Sequence, residues 1–526
     1  MTQPSSLLAA ALALGVVGSA KAAHAGGILI PGSGAQAQAR AGAFVAKADD
    51  PSAIAHNPAG FAKIPGTVIY LGSNFVNLSL DYHRSGVYEP HQGGGEAYGY
   101  EGQAFSPVSD QSSPAIGFAG FQAIPMIAVS SDLGMPELGL HIGAGVYAPH
   151  GYPERDFARD YNFEEPGVPP PPQRYDVMNQ KALAILPSLV VAYNILDNLQ
   201  VGVRGSWGLA QISAETYLWG VRNYVEDVAY DGLFSIDVSD NFVPAFGAGV
   251  LYRPLPMLEL GAAYNSAMHI DAIGDGRATI GSGVSFDGAV MVEPIDDDHA
   301  QCATGGTIDA LKTCVSLAIP QTATAGARWI LSEGAGERAD VEFDAKWENW
   351  SADDVSNDLV VVDAKTIAGD LHPAYVRHGF EDVWSFRLGG SYTTPIKDND
   401  LTFRAGAAYD TATAPDDFQR LDKDGAARVT LGAGVSFATG RFRIDLGGGA
   451  VLEADRTATG CQTYDTADDK VLSCDGQNAI RPPEQHDSPD PLQPANEADA
   501  QLESPFNSGT YSSHYLLFSL AVSAAF

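Results

Sequence analysis

The sequence predicts an all-β fold, a transmembrane antiparallel β-barrel of about 14 strands with a small N-terminal helical hatch inside it. Three observations carry that prediction. The last segment sets Leu516, Phe518, Leu520, Val522, Ala524 and Phe526 on one parity and Ser519 and Ser523 on the other. Successive strand side chains point to opposite sides, so one face can meet lipid and the other a wetter interior. Segments of this period-2 kind recur along the chain, fourteen in all. The connections between them alternate between short and long, as in barrels with tight periplasmic turns and large outer loops.

The N-terminus points to the same compartment. Leu7 to Val17 form an apolar core, and small residues follow it up to Ala23-His24-Ala25, an A-x-A cleavage pattern. The segment lacks a Lys or Arg before its core. Residues 1–25 are therefore expected to be a signal peptide, with the mature protein starting at Gly26. No later segment reaches the roughly 18 continuous apolar residues of a membrane helix, so the chain is expected to cross the membrane as strands. The terminal Phe526 resembles the insertion signal that closes Gram-negative outer-membrane barrels.

Composition sharpens this. With 57 Gly, 21 Tyr and 4 Cys in 526 residues, the apolar residues are spread by alternation rather than gathered into runs. A net charge of −34 disfavours nucleic acid and anionic surfaces as partners. Most Asp and Glu fall between the strand candidates, as solvated loops require.

The strands are expected near 67–82, 115–131, 137–148, 181–194, 199–214, 241–253, 257–271, 318–332, 337–350, 384–394, 400–410, 427–438, 441–455 and 510–526. An even count lets a single chain bring its ends together. In 337–350, Val341, Phe343, Ala345 and Trp347 alternate with Asp340, Glu342, Asp344, Lys346 and Glu348. Such a row of charge cannot face hydrocarbon and must face the lumen. Pro125 lacks a ladder donor and predicts a bulge or distortion in 115–131. Links near 132–136, 195–198, 254–256, 333–336, 395–399 and 439–440 are short. Those near 83–114, 149–180, 215–240, 272–317, 351–383, 411–426 and 456–509 are long.

Two cysteine pairs, Cys302 with Cys314 and Cys461 with Cys474, each lie within one long loop. In an oxidising exterior they predict two local disulfides. Neither pair has C-x-x-C spacing, and the runs Asp296-Asp297-Asp298 and Asp465 to Asp469 lack the calcium-loop pattern, so no metal and no cofactor is expected.

Residues 26–66 do not alternate and precede the first strand. Ala35 to Ala48 has helical propensity; Asp49 and Asp50 can cap a second short helix at Pro51, which must end near Asn57 because Pro58 disfavours α conformation before it. Tethered to strand one, this segment is placed to plug the barrel, 67–526.

Ala48-Asp49-Asp50-Pro51-Ser52-Ala53 and Asn57-Pro58-Ala59-Gly60 resemble the hatch motif of the FadL-type outer-membrane transport family, which moves long-chain fatty acids and aromatic hydrocarbons. The resemblance continues through Gly143 to Gly151, Lys346 to Ser351, Phe386 to Tyr392, Arg404 to Asp410 and Leu431 to Gly434, in the family's order. It implies a monomer in the outer membrane, in contact with lipid and lipopolysaccharide, carrying an apolar substrate. Substrate would pass a site beside the mature N-terminus, here Gly26, Ile28 and Leu29, although this opening lacks the family's usual Phe. It would then leave sideways at a kinked third strand, for which Gly139, Gly143 and Gly145 are the candidates, near the turn Asn57-Pro58-Ala59. Close packing of those glycines against the hatch is the alternative.

Among lumen cations, Arg204, Arg387 and Arg404 are candidates to meet a substrate carboxylate, as are Lys346 and Arg443. Pairing with lumen acids such as Glu342 or Asp445 is their structural alternative. Lateral release has a physical basis, because an acyl chain is stabilised in an apolar environment by about 0.8 kcal/mol per CH₂. No G-x-S-x-G, H-E-x-x-H or phosphate-binding glycine loop is present, so no enzyme is expected. A general porin for small polar solutes is the competing reading.

Overall fold

Fourteen antiparallel strands close into a barrel in a computed structural model. It describes residues 33–526 except 89–97, 113–116, 150–153, 158–166, 219–225, 227, 229–230, 281–291, 297, 335, 367–368, 372, 416–418, 424, 459–461, 466–469 and 474–507. Residues 1–25, expected to be a signal peptide, and Gly26, Ile28, Leu29, Cys461 and Cys474 lie outside the described residues. Counting barrel strands alone, β1 is Thr67–Arg84, β2 Phe121–Ser131, β3 Leu140–Tyr147, β4 Asn179–Leu196, β5 Leu199–Leu218 and β6 Gly232–Leu255. β7 runs in two pieces, Leu258–Asn265 and Met268–Ile280, and β8 in two more, Leu311–Ile319 and Thr322–Ser332. β9 is Arg338–Glu348, β10 Val383–Ile396, β11 Asn399–Asp410, β12 Arg428–Thr439, β13 Phe442–Glu453 and β14 Gly509–Ala525. β14 closes the ring on β1, from Val68↔Ala525 to Arg84↔Gly509.

The two-faced pattern of β14 is realised: Leu516, Leu520 and Val522 are exposed outward, while Ser519 and Ser523 are buried inside. In β9, Val341 and Phe343 face out, and Asp340, Glu342 and Asp344 are buried in the lumen. Exposed Tyr193, Tyr252, Trp329 and Tyr392 stand near the short turns, forming the aromatic girdle expected at a membrane interface.

Several expectations need correction. β6 extends back to Gly232 and β7 forward to Ile280, so much of the expected 215–240 and 272–317 loops is strand. Cys314 lies in β8 rather than in a loop, although it does bridge Cys302, with Cα atoms 5.6 Å apart. Pro125 produces no register shift: it pairs opposite Ser73, just beyond the last β2–β3 pair, Met126↔Tyr147. An edge position of this kind tolerates a missing donor. Gly139 is a turn residue at φ +63, not part of a strand.

In the lumen, α1 spans Ala35–Ala39, shorter than the alanine run suggests. Ala41 and Gly42, at φ 50 and 86, turn the chain there. α2 is Ala53–His56, and Asp50 Oδ1 accepts from Ser52 N at 2.8 Å at its start. Asn57 is extended, as a residue before proline must be, and a 3₁₀ turn follows over Pro58–Lys63.

Candidate functional site

The hatch is held by carboxylates of β9. Asp344 Oδ2 accepts from the backbone N–H groups of Phe44 (2.9 Å) and Val45 (3.0 Å). Glu342 Oε1 accepts from those of Ala46 (2.7 Å) and Lys47 (3.2 Å). Four successive amides therefore meet two buried acids, a concave array suited to an anion. Arg40, wholly buried, donates to Asp340 at 2.7 Å and Glu342 at 2.9 Å. Lys63 reaches Glu259 on β7 at 2.7 Å, and Arg443 on β13 reaches Asp50 at 3.0 Å. Burial pushes the Asp50 carboxyl up, with the Arg443 guanidinium working against that rise.

Glycines let the hatch approach this closely. Gly389, Gly406, Gly432 and Gly449 lie side by side across β10 to β13. A Cβ at Gly406 would overlap the Arg40 backbone, and one at Gly432 the Gln38 carbonyl. The predicted turn packs elsewhere than expected: Gly202 of β5 abuts Pro58 and Ala59, and Gly249 of β6 abuts Asn57. Asn57 also ties the hatch together, accepting from Ala59 N at 3.1 Å and donating to Val45 O at 2.8 Å.

The expected third-strand kink is not present within Leu140–Tyr147. β3 is paired on both sides, to β2 from Met126↔Tyr147 to Ser131↔Ile142 and to β4 from Leu140↔Tyr193 to Tyr147↔Leu186. Gly143 faces the Phe61 ring and Gly145 faces Ile54, so both glycines serve contact with the hatch.

Between hatch and outer mouth lies a cavity whose apolar side includes Val45, Ala55, Tyr147, Leu186, Met268 and Ile319. Its polar side holds Arg204, Lys346, Arg387 and Asp344, and Ser33 and His56 of the hatch complete it. Lys346 pairs with Glu348 at 2.7 Å. Arg204 donates to Ile54 O at 2.6 Å and Asn265 Oδ1 at 3.0 Å, and Arg387 reaches only Gly42 O at 3.5 Å. Among the described residues neither arginine forms an ion pair. Arg404 does not line this cavity; it bonds Ser436 and lies 3.5 Å from Asp445. His56 is half-buried at the cavity edge, where burial lowers its pKa to about 4, against the pull of its bond to Ser33 O.

The outer mouth is crossed by ion pairs, including Arg174–Asp231 at 3.0 Å and Arg420–Asp176 at 3.0 Å. Asp358, His378 and Asp422 cluster there in a manner that could suit a metal, but protein cations already serve them. Lys423 bonds Asp358 at 2.5 Å, and Arg420 and His378 bond Asp422.

The glycine belt and the apolar cavity side escaped sequence reasoning. Recurrent glycines at lumen parity in β10 to β13 were the available signal for the belt.

Residues 16–460 match the profile of the family described as outer membrane protein transport protein (OMPP1/FadL/TodX). A Pseudomonas aeruginosa FadL homologue shares the fold at 16% identity and TM-score 0.65, over 95% of this chain and 100% of that one. The P. putida toluene transporter TodX aligns at 15% identity and TM-score 0.57, over 94% and 99%. The Ralstonia pickettii toluene transporter TbuX aligns at 16% and 0.56, over 94% and 98%. None of the curated protein sequences compared with the chain matches it.

Proposed function

Since the chain belongs to the OMPP1/FadL/TodX family of outer-membrane transport proteins, we propose that it passes hydrophobic molecules, long-chain fatty acids or similar apolar compounds, across the outer membrane by diffusion. The hatch gates the barrel, and cargo leaves sideways through the wall into the outer leaflet. The observation that carries this reading is the cavity above the hatch, apolar on one side and bearing on the other Arg204 and Arg387, which form no ion pair among the described residues. An apolar tail with a carboxylate head fits such a divided surface, because a carboxylate gains most from a charged donor that no protein acid occupies. Asn57, Pro58 and Ala59 would act as the brace that keeps the plug seated.

The porin reading has the plug against it: four amides, Arg40 and Lys63 fix the hatch across the lumen. Uptake of radiolabelled oleate and of toluene into cells, beside planar-bilayer conductance of the purified barrel, tests the choice. The expected result is uptake of at least one probe with little steady conductance. A large steady conductance from the intact barrel, with no uptake of either probe, overturns the proposal.

A further inference from the structure

The barrel wall is open between β6 and β7. Pairing runs up to Asn265↔Gly247 and resumes only at Ile273↔Ser239. In between, Asp240–Ala245 and Ala267–Ala272 face each other without ladder pairs, a stretch of about 20 Å at the usual strand rise. Three local devices produce the separation. β6 carries a bulge, since the β5 register shifts between Gly208↔Val243 and Ala210↔Asp240. Pro244 removes a donor within the same stretch. β7 breaks at Ser266-Ala267, and its buried parity changes from Ala263 to Met268 and Ile270. Bulges bend a strand and end its pairing, and they concentrate where a wall must be shaped.

Side chains finish the frayed ends. At one end the Ser266 hydroxyl accepts from Phe246 N at 3.0 Å, and Ser266 N donates to Phe246 O at 2.9 Å. At the other, Asp240 accepts from Asp271 N at 3.0 Å. Backbone groups in a membrane wall need such partners where the ladder is missing.

The opening joins two spaces. On its inner side is the cavity above the hatch, and on its outer side a second one of ≈ 680 Å³ whose rim includes Phe246, Tyr264 and His269. Ala245 and Ser266 line both. Buried Val243, Met268 and Ile270 give the opening an apolar inner side, while Gln321, Asn349 and Asp354 add polar groups to the outer cavity. Outside, exposed Phe242 and Phe246 lie within the apolar band of the wall, near its upper edge, because the outward face of β5 turns from Trp207 and Leu209 to Gln211 there.

We propose that apolar cargo leaves the lumen between β6 and β7, through the wall at Ala245 and Ala267, and enters the outer leaflet of the membrane. This rests on the transport reading above and places its exit away from the described strand Leu140–Tyr147, which is paired on both sides. The test uses the full-length protein in cells with radiolabelled oleate and toluene. Ala267→Cys is treated with benzyl methanethiosulfonate, which fills the opening after assembly, and a reductant then removes the adduct. Pro244→Cys carries the same adduct from the opposite rim, should Ala267→Cys assemble poorly. Val146→Cys, facing outward on β3, is the comparison, and wild-type protein is carried through every treatment. Uptake should fall to the level of cells lacking the protein in the modified β6–β7 variants and return on reduction, with modified Val146→Cys unaffected. Full uptake through the modified β6–β7 variants, or loss only at Val146→Cys, overturns the exit while leaving transport standing. Wild-type protein that moves neither probe overturns both.

Discussion

β9 and β6 face the same lumen and are treated in opposite ways. β9 is paired along its whole length, to β8 and to β10, and adds three buried acids that bind the hatch. β6 loses its partner β7 over six residues and carries a bulge and a proline there. A barrel needs closed ladders for strength, so an opening is tolerable where the rest of the strand stays paired, as β6 does from Gly247 toward its short turn. β9 holds the hatch through buried acids, whereas β5 to β7 hold it by close packing at Gly202 and Gly249 and by the Lys63–Glu259 pair, and part only beyond Gly247.

The strongest way to break this division is to remove the anchor. Glu342→Ala removes one of the two acids that pair with Arg40 and the acceptor of two hatch amides, and breaking a buried pair this way costs about 3–5 kcal/mol. The hatch should come loose in an assembled barrel, read as a rise in planar-bilayer conductance and protease cleavage before residue 67. Unchanged conductance would show that β9 is not the anchor. A smaller loss is expected from Gly406→Val, whose side chain would overlap the Arg40 backbone, at about 1–3 kcal/mol for overpacking. Gly205→Val on β5 meets nothing within 4 Å and should leave both hatch and barrel as they are. Equal behaviour of the two variants in a thermal unfolding series would show that glycine is not there for the hatch.

Arg387→Gln sharpens the comparison on the cargo side. Losing a charged donor to a carboxylate is worth roughly 1.5–3 kcal/mol, so oleate uptake should fall by about tenfold or more while toluene uptake stays unchanged. Equal loss for both probes would assign Arg387 to structure alone. The smallest effect concerns His56. Its folded pKa lies near 4, below the ordinary 6.5, so protons favour the undocked state. Docking should therefore weaken as pH falls from about 6.5 toward 4 and change no further below that. Conductance measured across this window should rise less in His56→Gln than in the wild type; identical curves would remove His56 as the cause.

The strand count, the alternation of connections, the lumen-facing row in β9 and the extended Asn57 were legible because each follows from local periodicity or from a proline's effect on its neighbour. The opening was not. Pro244, Ser266 and Ala267 look like ordinary strand residues, and only the register of β5 against β6 shows that β6 carries an extra residue. Gly143 and Gly145 misled for a related reason: a glycine marks a close approach or a bend, and its local sequence does not say which. Here the answer lies in Phe61 and Ile54, some eighty residues earlier in the chain.

The carboxylates of β9 have a consequence for the order of assembly. Arg40 and Phe44 meet partners 300 positions further along the chain, and Arg443 lies 393 positions from Asp50. Contacts so distant in sequence form late, after the intervening chain has been ordered. The amides of Phe44 to Lys47 must therefore wait in water until β9 is made and in register. Closure of the ring, Val68↔Ala525, joins residues farther apart still, so by the same reasoning docking on β9 need not wait for it.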